Sequence, residues 1–442
     1  MDWVIRILQF ILSISILVVI HEFGHYIAAR IFKTRVEKFY LFFNPWFSIF
    51  KFNFKGTEYG VGWLPLGGYV KISGMIDESM DKEQMSKPPE PWEFRSKPAW
   101  QRLIIMLGGV TMNIVLAVII YIGMLSIWGE EYLPTESVKY GIVVDSVGSE
   151  LGLQNGDKIV SVDQEKIENF RKIPEKLILD EARTVQVERN GKIVNIDVPS
   201  GFLNKLVKHK SADFIGVRFP FIVDRFSKDS PAKEAGLEKG DRIIGLNGQE
   251  TQYFDQFLER VDKLADQKVE VKIVRNSDTL NVPITVTSEG RIGVYPLSNM
   301  SDFFEIKEKN YSFIEAIPAG FSKTYYGIGN YFKQLKLIFS PEVKAYESVG
   351  GFITIGSIFP PEWHWQSFWS LTAFLSIMLA ILNVLPIPAL DGGHVMFLMY
   401  EIITRRKPSD KFMEYAQITG MILLLALLIF ANGNDIMGLI NK

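Results

Sequence analysis

The chain has 442 residues, and its formal net charge of −2 gives no sign of a nucleic-acid-binding surface. It contains no cysteine, which excludes disulfides, thiolate zinc ligands and cysteine nucleophiles. Hydrophobic residues make up 48% of the chain and charged residues 22%, and the apolar residues are concentrated at the two ends, around a polar middle. Length alone predicts about three domains.

The first predicted element is a helix over residues 3–32 that carries a His-Glu-x-x-His motif near its far end. Its apolar run has only Arg6 as a basic flank and lacks a small-x-small cleavage site, which favours a retained transmembrane helix over a signal peptide. On a helix, His21 and His25 project from one face, a spacing that suits two ligands of one zinc ion. Glu22 would act as general base on a water at that ion. The motif also occurs by chance in soluble helices, but ionisable groups in an apolar segment cost about 2.5–3.5 kcal/mol each and therefore indicate function.

The next stretch, residues 39–72, is aromatic and glycine-rich, and its alternation predicts strands. We interpret residues 57–72 as a β-hairpin that dips into the membrane beside the motif, where an edge strand could pair with an unwound substrate. A plain cytoplasmic hairpin is the alternative. The candidate substrate-binding residues in this stretch are Gly60, Gly62, Gly67, Gly68 and Tyr69.

A charged, proline-bearing surface loop is predicted over residues 75–97, followed by a second membrane span over residues 103–128. Gly108 and Gly109 in this span allow close helix packing. Asn113 would contact the helix that bears the motif, or would make an ordinary interhelical hydrogen bond.

The polar middle, residues 130–365, contains an internal repeat, with Gly152 and Gly236 equivalent and 84 residues apart. Each copy has a Gly-Leu helix end, a Gly-Asp turn and an alternating strand. This pattern resembles PDZ domains, which bind extended peptides in a groove between a strand and a helix. Preceding strands are expected over residues 140–147 and 215–225. Alternatively, one or both copies act only as spacers or filters.

Residues 312–340 are predicted to form an amphipathic helix with aromatic side chains on its apolar face. It would lie along the membrane surface or pack against the second repeat. A glycine-rich turn over residues 350–356 leads into a short apolar segment.

The third predicted span begins near residue 368, among three tryptophans that are typical of a membrane interface. Pro386 and Pro388 break this helix at membrane depth. Zinc held by two histidines needs a third protein ligand, and a carboxylate from a separate segment meets that need, so we assign Asp391 this role. A helix-capping aspartate is the alternative. His394 is either a partner of the ligands or a buried, hydrogen-bonded histidine.

A fourth span is predicted over residues 412–431. Lysine and arginine crowd the loops after the first and third spans, so the positive-inside rule makes both loops cytoplasmic. Four spans then place the polar middle and both termini outside the cytoplasm. His21 and Asp391 lie near the cytoplasmic ends of their spans, so they reach similar depth.

The predicted fold class is a membrane α-helical protein with four transmembrane helices and a membrane-associated β-hairpin, plus two tandem extracytoplasmic PDZ-like α+β domains. Five parts of the chain follow from these patterns. They are a first transmembrane catalytic part with the β-hairpin loop (1–128), a first PDZ-like domain (129–203), a second PDZ-like domain (204–297), an amphipathic helix with a linker (298–366), and a second transmembrane catalytic part (367–442).

Three motifs, at residues 19–25, 65–71 and 385–394, together resemble those of the site-2 protease family of intramembrane zinc metalloproteases. The resemblance implies Zn²⁺ held by His21, His25 and Asp391, with Glu22 as catalytic base. It also implies that Asn383, Pro386 and Pro388 line the substrate site.

The same resemblance implies the substrates and the location. The substrates would be single-pass membrane proteins, such as an anti-sigma factor already trimmed outside by another protease, or signal-peptide remnants. The location would be the inner membrane of a bacterium with two membranes, with the PDZ-like domains in the periplasm as a size filter over the active site.

Two other functions are open to a chain with these motifs. One is a PDZ-bearing membrane scaffold with an inert or structural metal site, although a purely structural site would not need Glu22. The other is a metal transporter, which the single ionisable cluster disfavours. The expected function is therefore cleavage of a peptide bond in a membrane-embedded substrate.

Overall fold

A computed structural model describes residues 2–75, 88–209, 213–340 and 350–440. Residues 76–87 of the predicted surface loop lie outside these ranges. The chain divides into two compact units, which we call the helical unit (1–129, 310–336 and 346–442) and the β-rich unit (130–309 and 337–345).

Helices dominate the helical unit, and short helices recur in the β-rich unit. In chain order, the helices are α1 (Asp2–Ile31), α2 (Ala99–Trp128), α3 (Ser146–Glu150), α4 (Lys172–Leu179), α5 (Phe202–His209), α6 (Pro231–Glu234), α7 (Phe254–Val261), α8 (Phe313–Ile338), α9 (Phe352–Ser357), α10 (Trp365–Val384), α11 (Asp391–Thr404) and α12 (Asp410–Ile440).

The strands form small, mostly two- to four-stranded sheets. In chain order, they are β1 (Val36–Phe54), β2 (Thr57–Ile72), β3 (Glu130–Tyr132), β4 (Ile142–Val144), β5 (Lys158–Val162), β6 (Thr184–Arg189), β7 (Lys192–Asp197), β8 (Ile215–Val217), β9 (Val223–Phe226), β10 (Arg242–Leu246), β11 (Gln249–Glu250), β12 (Lys268–Arg275), β13 (Asp278–Thr285), β14 (Val294–Pro296) and β15 (Lys307–Lys309). The sheet orders are β1-β2, β4-β8, β5-β6-β7, β14-β9, β11-β10-β12-β13 and β15-β3.

Four of the described helices are long and apolar enough to cross a membrane, judged by length and composition: α1, α2, α10 and α12. Each overlaps one of the four segments predicted as spans. The last of them continues to Ile440, well past the predicted end at residue 431. In this extension Asp435 accepts hydrogen bonds from Ile353 N and Thr354 N.

Helix α8 confirms the amphipathic helix predicted over residues 312–340. It packs on two of the long helices. A Cβ at Gly320 would lie 2.6 Å from the Ile122 side chain of α2, and the ring of Tyr331 lies 6.3 Å from that of Phe374 on α10. The face that packs is therefore the one with Ala316, Gly320 and Thr324, whereas aromatic side chains of the predicted apolar face are exposed, among them Phe321 at 59% and Tyr325 at 82%.

The two sequence repeats adopt the same local structure in the β-rich unit. Asp157 and Asp241 are each 1% exposed, and each accepts two hydrogen bonds of 2.7 Å from an arginine, Arg189 or Arg275. Each arginine also donates, over 2.8 Å, to the carbonyl of the equivalent repeat glycine. The Gly-Asp turn is thus held by a side chain from a later strand in both copies.

The strands predicted before each repeat were wrong in extent. Strand β4 ends at Val144, because Asp145 caps helix α3 by accepting a hydrogen bond from Gly148 N. The segment predicted as one strand over residues 215–225 is two strands, β8 and β9, separated around Pro220, which has no N–H for a sheet.

Strand β8 belongs to the first repeat, since it pairs with β4, whereas β9 pairs with β14 of the second. The first apolar cluster accordingly includes Phe214, Ile215 and Val217, so the predicted domain boundary between residues 203 and 204 cuts through it. Each repeat closes with an Ile-Gly-Val triplet, at 215–217 and 292–294, a sequence signal that the repeat analysis missed.

The ion pair between Asp241 and Arg275 predicts how the stability of the second repeat changes as the pH falls. Burial alone raises the pKa of Asp241, but the Arg275 guanidinium and the N–H of Glu238 outweigh it, so the pKa lies below its ordinary value. A depressed pKa contributes stability that is present above the unfolded value, about 3.9, and is lost as pH falls through the folded value.

We expect Arg275→Gln to leave a buried carboxylate unpaired and to cost about 3 kcal/mol. Amides of β12 and β13 should then exchange roughly 100-fold faster at neutral pH, measured by hydrogen exchange and mass spectrometry. The difference from wild type should shrink toward pH 3. Arg291→Gln is the matched control, because its partner Asp262 is half-exposed and the pair is worth little. Equal exchange in Arg275→Gln and wild type would contradict the prediction.

Candidate metal centre

Helix α1 places its two motif histidines on one buried face. His21 and His25 are 8% and 6% exposed, and their Nε2 atoms lie 3.3 Å apart. Glu22 is half-buried and points into the same region, where it lines the main cavity of the helical unit.

Asp391 reaches the histidines from the first residue of helix α11. Its Oδ2 lies 3.1 Å from His21 Nε2 and 3.2 Å from His25 Nε2. A tight turn after α10 delivers it, with Ile387 N donating to Leu385 O over 2.7 Å. Ala389 in that turn has φ of +81°, a left-handed conformation that non-glycine residues rarely adopt.

The three atoms fit a cation. They are lone-pair donors, and edges of 3.1 to 3.3 Å match the donor–donor separation of about 3.3 Å for tetrahedral ligands at about 2.0–2.1 Å from zinc. Asp391 Oδ2 is buried and has no hydrogen-bond partner among the described residues, although it faces two nitrogens. Among the described residues, His21, His25 and Asp391 form the group that could hold a metal ion.

The other ring nitrogens of the histidines are held by helix α2. His25 Nδ1 donates to the carbonyl of Ile105 over 2.9 Å, which leaves Nε2 free for a metal. His21 Nδ1 lies 3.2 Å from the side-chain amide of fully buried Asn113. If His21 binds through Nε2, its Nδ1 carries the proton, and the Asn113 oxygen, otherwise without a partner among the described residues, accepts it after a half-turn of the amide.

Glycines allow α1 and α2 to cross with their backbones in contact. A Cβ at Gly24 would lie 2.2 Å from the carbonyl oxygen of Gly108. A Cβ at Gly109 would lie 2.4 Å from His25 Nε2 and 2.6 Å from His21 Cε1. The predicted close packing at Gly108 and Gly109 therefore has a specific use, since it makes room for the imidazoles.

A cavity of about 780 Å³ opens beside the three candidate ligands. It is lined by Glu22 and the candidate ligands, by the hairpin β1–β2, and by residues of α2, α11 and α12. The lining residues are His21, Glu22, His25, Lys38, Phe43, Asn44, Pro45, Leu64, Gly68, Tyr69, Val70, Lys71, Ile72, Met75, Met106, Ala389, Leu390, Asp391, His394 and Gln417.

The hairpin turns its outer strand segment, residues 68–72, toward this cavity. Residues 38–41 are paired with residues 58–61 and also with residues 68–71. Residues 68–72 are paired only with β1 among the described residues, and all five of them line the cavity. Gly68 lies directly on α1, since its Cβ would be 2.6 Å from Val18 Cγ1 and 3.6 Å from Glu22 Cγ.

Only two of the five candidate substrate-binding residues in the hairpin line the cavity. Gly68 and Tyr69 line the cavity. Gly60 and Gly62 are not among its lining residues and instead make room for Tyr40 and for the backbone around Phe43. Gly67, with φ of +130°, lies in the bend before the edge segment.

The candidates at the end of α10 and in the turn that follows it are not among the residues that line the cavity. Asn383 Nδ2 lies 3.3 Å from His21 Nε2. Pro386 and Pro388 form the turn before Asp391, and the Pro388 carbonyl packs on Gly420 of α12. His394 is half-buried and lines the cavity.

Sequence reasoning missed several lining residues. Gln417 is a polar residue in an apolar span, a signal that could have found it. Lys38 and Asn44 carry no such signal, since polar residues are ordinary in a hairpin. No sequence motif could have identified the Ile105 carbonyl, because every residue has a backbone carbonyl.

The model of a family described as peptidase family M50 matches residues 9–427. The chain belongs to peptidase family M50. It is 27% identical to the regulator of sigma E protease of Haemophilus influenzae over 98% of each chain, and 26% identical to the regulator of sigma-E protease RseP of Escherichia coli over 97% of each. It is 30% identical to "Putative zinc metalloprotease Cj1068" of Campylobacter jejuni, over 99% of this chain and 95% of that one.

This M50 protein is thus a zinc metalloprotease, and its long apolar helices make it a membrane protein. The donor set of two imidazoles and one carboxylate is typical of catalytic zinc, which keeps one position open for water or substrate.

The contact at Gly109 makes the fit of the metal centre testable. We expect Gly109→Ala to displace both imidazoles and to lower the zinc content of the purified protein by at least about 10-fold, measured by plasma mass spectrometry. Gly123→Ala on the same helix is the control, because nothing lies within 4 Å of its Cβ position. Full zinc content in Gly109→Ala would show that the helices tolerate a wider crossing.

Proposed function

We propose that this M50 protein hydrolyses a peptide bond within a single-pass membrane protein, with His21, His25 and Asp391 as zinc ligands and Glu22 as general base. One observation carries the proposal: Asp391 meets the two histidines at a cavity that is also lined by the outer strand segment of the hairpin, residues 68–72. A protease needs both parts, a group that activates water and a surface that holds an extended chain.

Zinc bound there supplies Lewis acidity to the attacking water and to the scissile carbonyl. Glu22 lies next to the first ligand in sequence and lines the cavity, so its carboxylate accepts the water proton and returns it to the leaving amine. Ile105 and Asn113 hold the imidazoles in their ligating orientation. The side-chain amide of Asn383 reaches His21 Nε2, and from this position it would donate a hydrogen bond to a substrate carbonyl.

The substrate must be extended at the scissile bond, since a helix keeps its carbonyls in internal hydrogen bonds. Strand addition to residues 68–72 would supply backbone partners for the unwound segment. A hydrogen-bond chain fixes the hairpin behind this edge. It runs from Tyr69 through Asn44, Ser48 and Tyr40 to Glu58, with distances of 2.8 to 3.3 Å.

The hairpin enters the membrane in this proposal. Its outer part exposes large apolar side chains, including Trp46 at 92%, Phe47 and Phe50. Such a patch on a membrane protein is suited to lipid or to a substrate helix. Glycines 60, 62 and 67 would then serve the hairpin's shape rather than contact the substrate directly.

The four apolar helices are proposed to be four transmembrane spans, with both termini and the β-rich unit outside the cytoplasm. The two repeats of the β-rich unit are proposed to be PDZ-like domains, supported by the common Gly-Asp turn and closing strand of each copy. They would act as a size filter in the periplasm, so that only substrates with a short outer segment reach the site.

Relatives named regulator of sigma E protease suggest the biological substrate. We propose an anti-sigma factor already trimmed outside by another protease, with signal-peptide remnants as further substrates, in a bacterial inner membrane. The scaffold alternative would leave Glu22, beside the candidate metal ligands, without a catalytic role.

Glu22→Gln tests the base assignment. The variant keeps its metal ligands, so it should bind zinc as wild type does, while cleavage of a single-span reporter in membranes falls by about 10²–10⁴-fold. Reporter cleavage is followed by gel mobility beside zinc content. Wild-type cleavage by Glu22→Gln would refute Glu22 as the base.

Asp391→Ala tests the third ligand. Two histidines alone hold zinc weakly, so bound metal should fall by at least about 10-fold while the secondary structure is retained. Asp278→Ala, on an exposed residue of the β-rich unit, is the control. Unchanged zinc in Asp391→Ala would remove Asp391 from the ligand set.

A further inference from the structure

Helix α11, which begins with Asp391, is held at its far end by a buried ion pair. Glu401 lies ten residues after Asp391, about 15 Å along the helix. Its Oε1 accepts a 2.5 Å hydrogen bond from Arg102 Nη2 of α2, and the two side chains are only 18% and 9% exposed. Arg102 Nε also donates to the carbonyl of Lys97 over 2.9 Å. The guanidinium is thus fixed on its own helix and presented to α11.

The same part of α2 also holds the histidine helix. Ile105, one turn after Arg102, accepts the hydrogen bond from His25 Nδ1. Ile105 shares an apolar cluster with Leu398, which lies one turn before Glu401. Two successive turns of α2 therefore contact both helices that carry candidate ligands.

The near end of α11 is strained. Ala389, two residues before Asp391, has φ of +81°. Gly392 and Gly393 press on the backbone before them, where added Cβ atoms would lie 2.1 Å from Leu385 O and 2.7 Å from Pro388 Cα. A left-handed non-glycine residue persists only when the surrounding structure enforces it. Contacts within the turn, such as that of the Pro388 carbonyl with Gly420 of α12, and contacts along α11 can both supply that constraint.

We propose that Arg102 and Glu401 are positioning residues for the zinc site: their ion pair anchors α11 so that its strained first turn presents Asp391 to His21 and His25. The proposal rests on the ligand role of Asp391 proposed above. Neither residue touches the metal. Leu398 provides apolar contact in the same place, but apolar contact permits sliding, whereas a hydrogen-bonded ion pair fixes the register of the helix.

The first experiment measures metal affinity of the full chain in detergent, by competition of Zn²⁺ with a chelator. We expect Arg102→Gln and the milder Glu401→Gln each to bind zinc about 10-fold more weakly than wild type. Cobalt in place of zinc should show an altered visible absorption, which a loss of stability alone would not produce. Wild-type affinity and an unchanged cobalt spectrum in Glu401→Gln would overturn the proposal.

The second experiment removes the backbone strain at residue 389. Glycine adopts positive φ without penalty, so Ala389→Gly should reduce the need for the anchor. We expect Glu401→Gln with Ala389→Gly to regain at least about 3-fold of the lost zinc affinity, as the cost of such a residue implies. No recovery in this double variant would overturn the link between strain and ion pair.

Two controls separate the possible failures. Lys205→Gln breaks the half-exposed pair with Glu150 in the β-rich unit and should leave zinc affinity unchanged. Asp391→Ala measured in parallel distinguishes the two proposals. Loss of zinc in Asp391→Ala but not in Glu401→Gln overturns only the positioning role, whereas full zinc in Asp391→Ala overturns the ligand assignment.

Discussion

The rest of the structure depends on the close approach of three lone-pair donors in an apolar interior, two imidazole nitrogens and one carboxylate oxygen. His21, His25 and Asp391 lie within 3.1 to 3.3 Å of one another, and burial of such a group is costly unless a cation or protons lie between them. Features that would otherwise be unfavourable surround this group, namely the helix break after α10, a left-handed Ala389 and backbone contact between two helices. The first two lie just before Asp391, and the third lies beside His21 and His25.

Helix α2 contacts both helices that carry the candidate ligands. It offers a carbonyl and an amide to the two imidazoles, glycines where the first helix crosses, and a guanidinium to the helix of Asp391. Most of these are backbone groups or very small residues. A single helix therefore contacts candidate ligands from both ends of the chain without contributing a candidate ligand itself.

The two repeats of the β-rich unit share the same local structure at the Gly-Asp turn. A buried aspartate, an arginine from a later strand and a glycine carbonyl recur with the same distances in both copies. The copies are also joined, because residues 303 and 304, which follow the second repeat, are buried in the apolar cluster of the first. Strand β15 pairs with β3, so the two chain segments that connect this unit to the rest of the protein lie side by side.

The sequence alone determined what depends on local pattern: four long apolar helices, the amphipathic helix, the repeat turns, and two histidines on one helical face. It also singled out Asp391, because a carboxylate after a proline-broken span needs a partner. Only the tertiary structure decided the contact of His25 with the Ile105 carbonyl, the outer position of residues 68–72 in the hairpin and the pairing of β8 with β4. The reason is physical, since backbone hydrogen bonds and strand register are available to every residue type and leave no mark in composition or spacing.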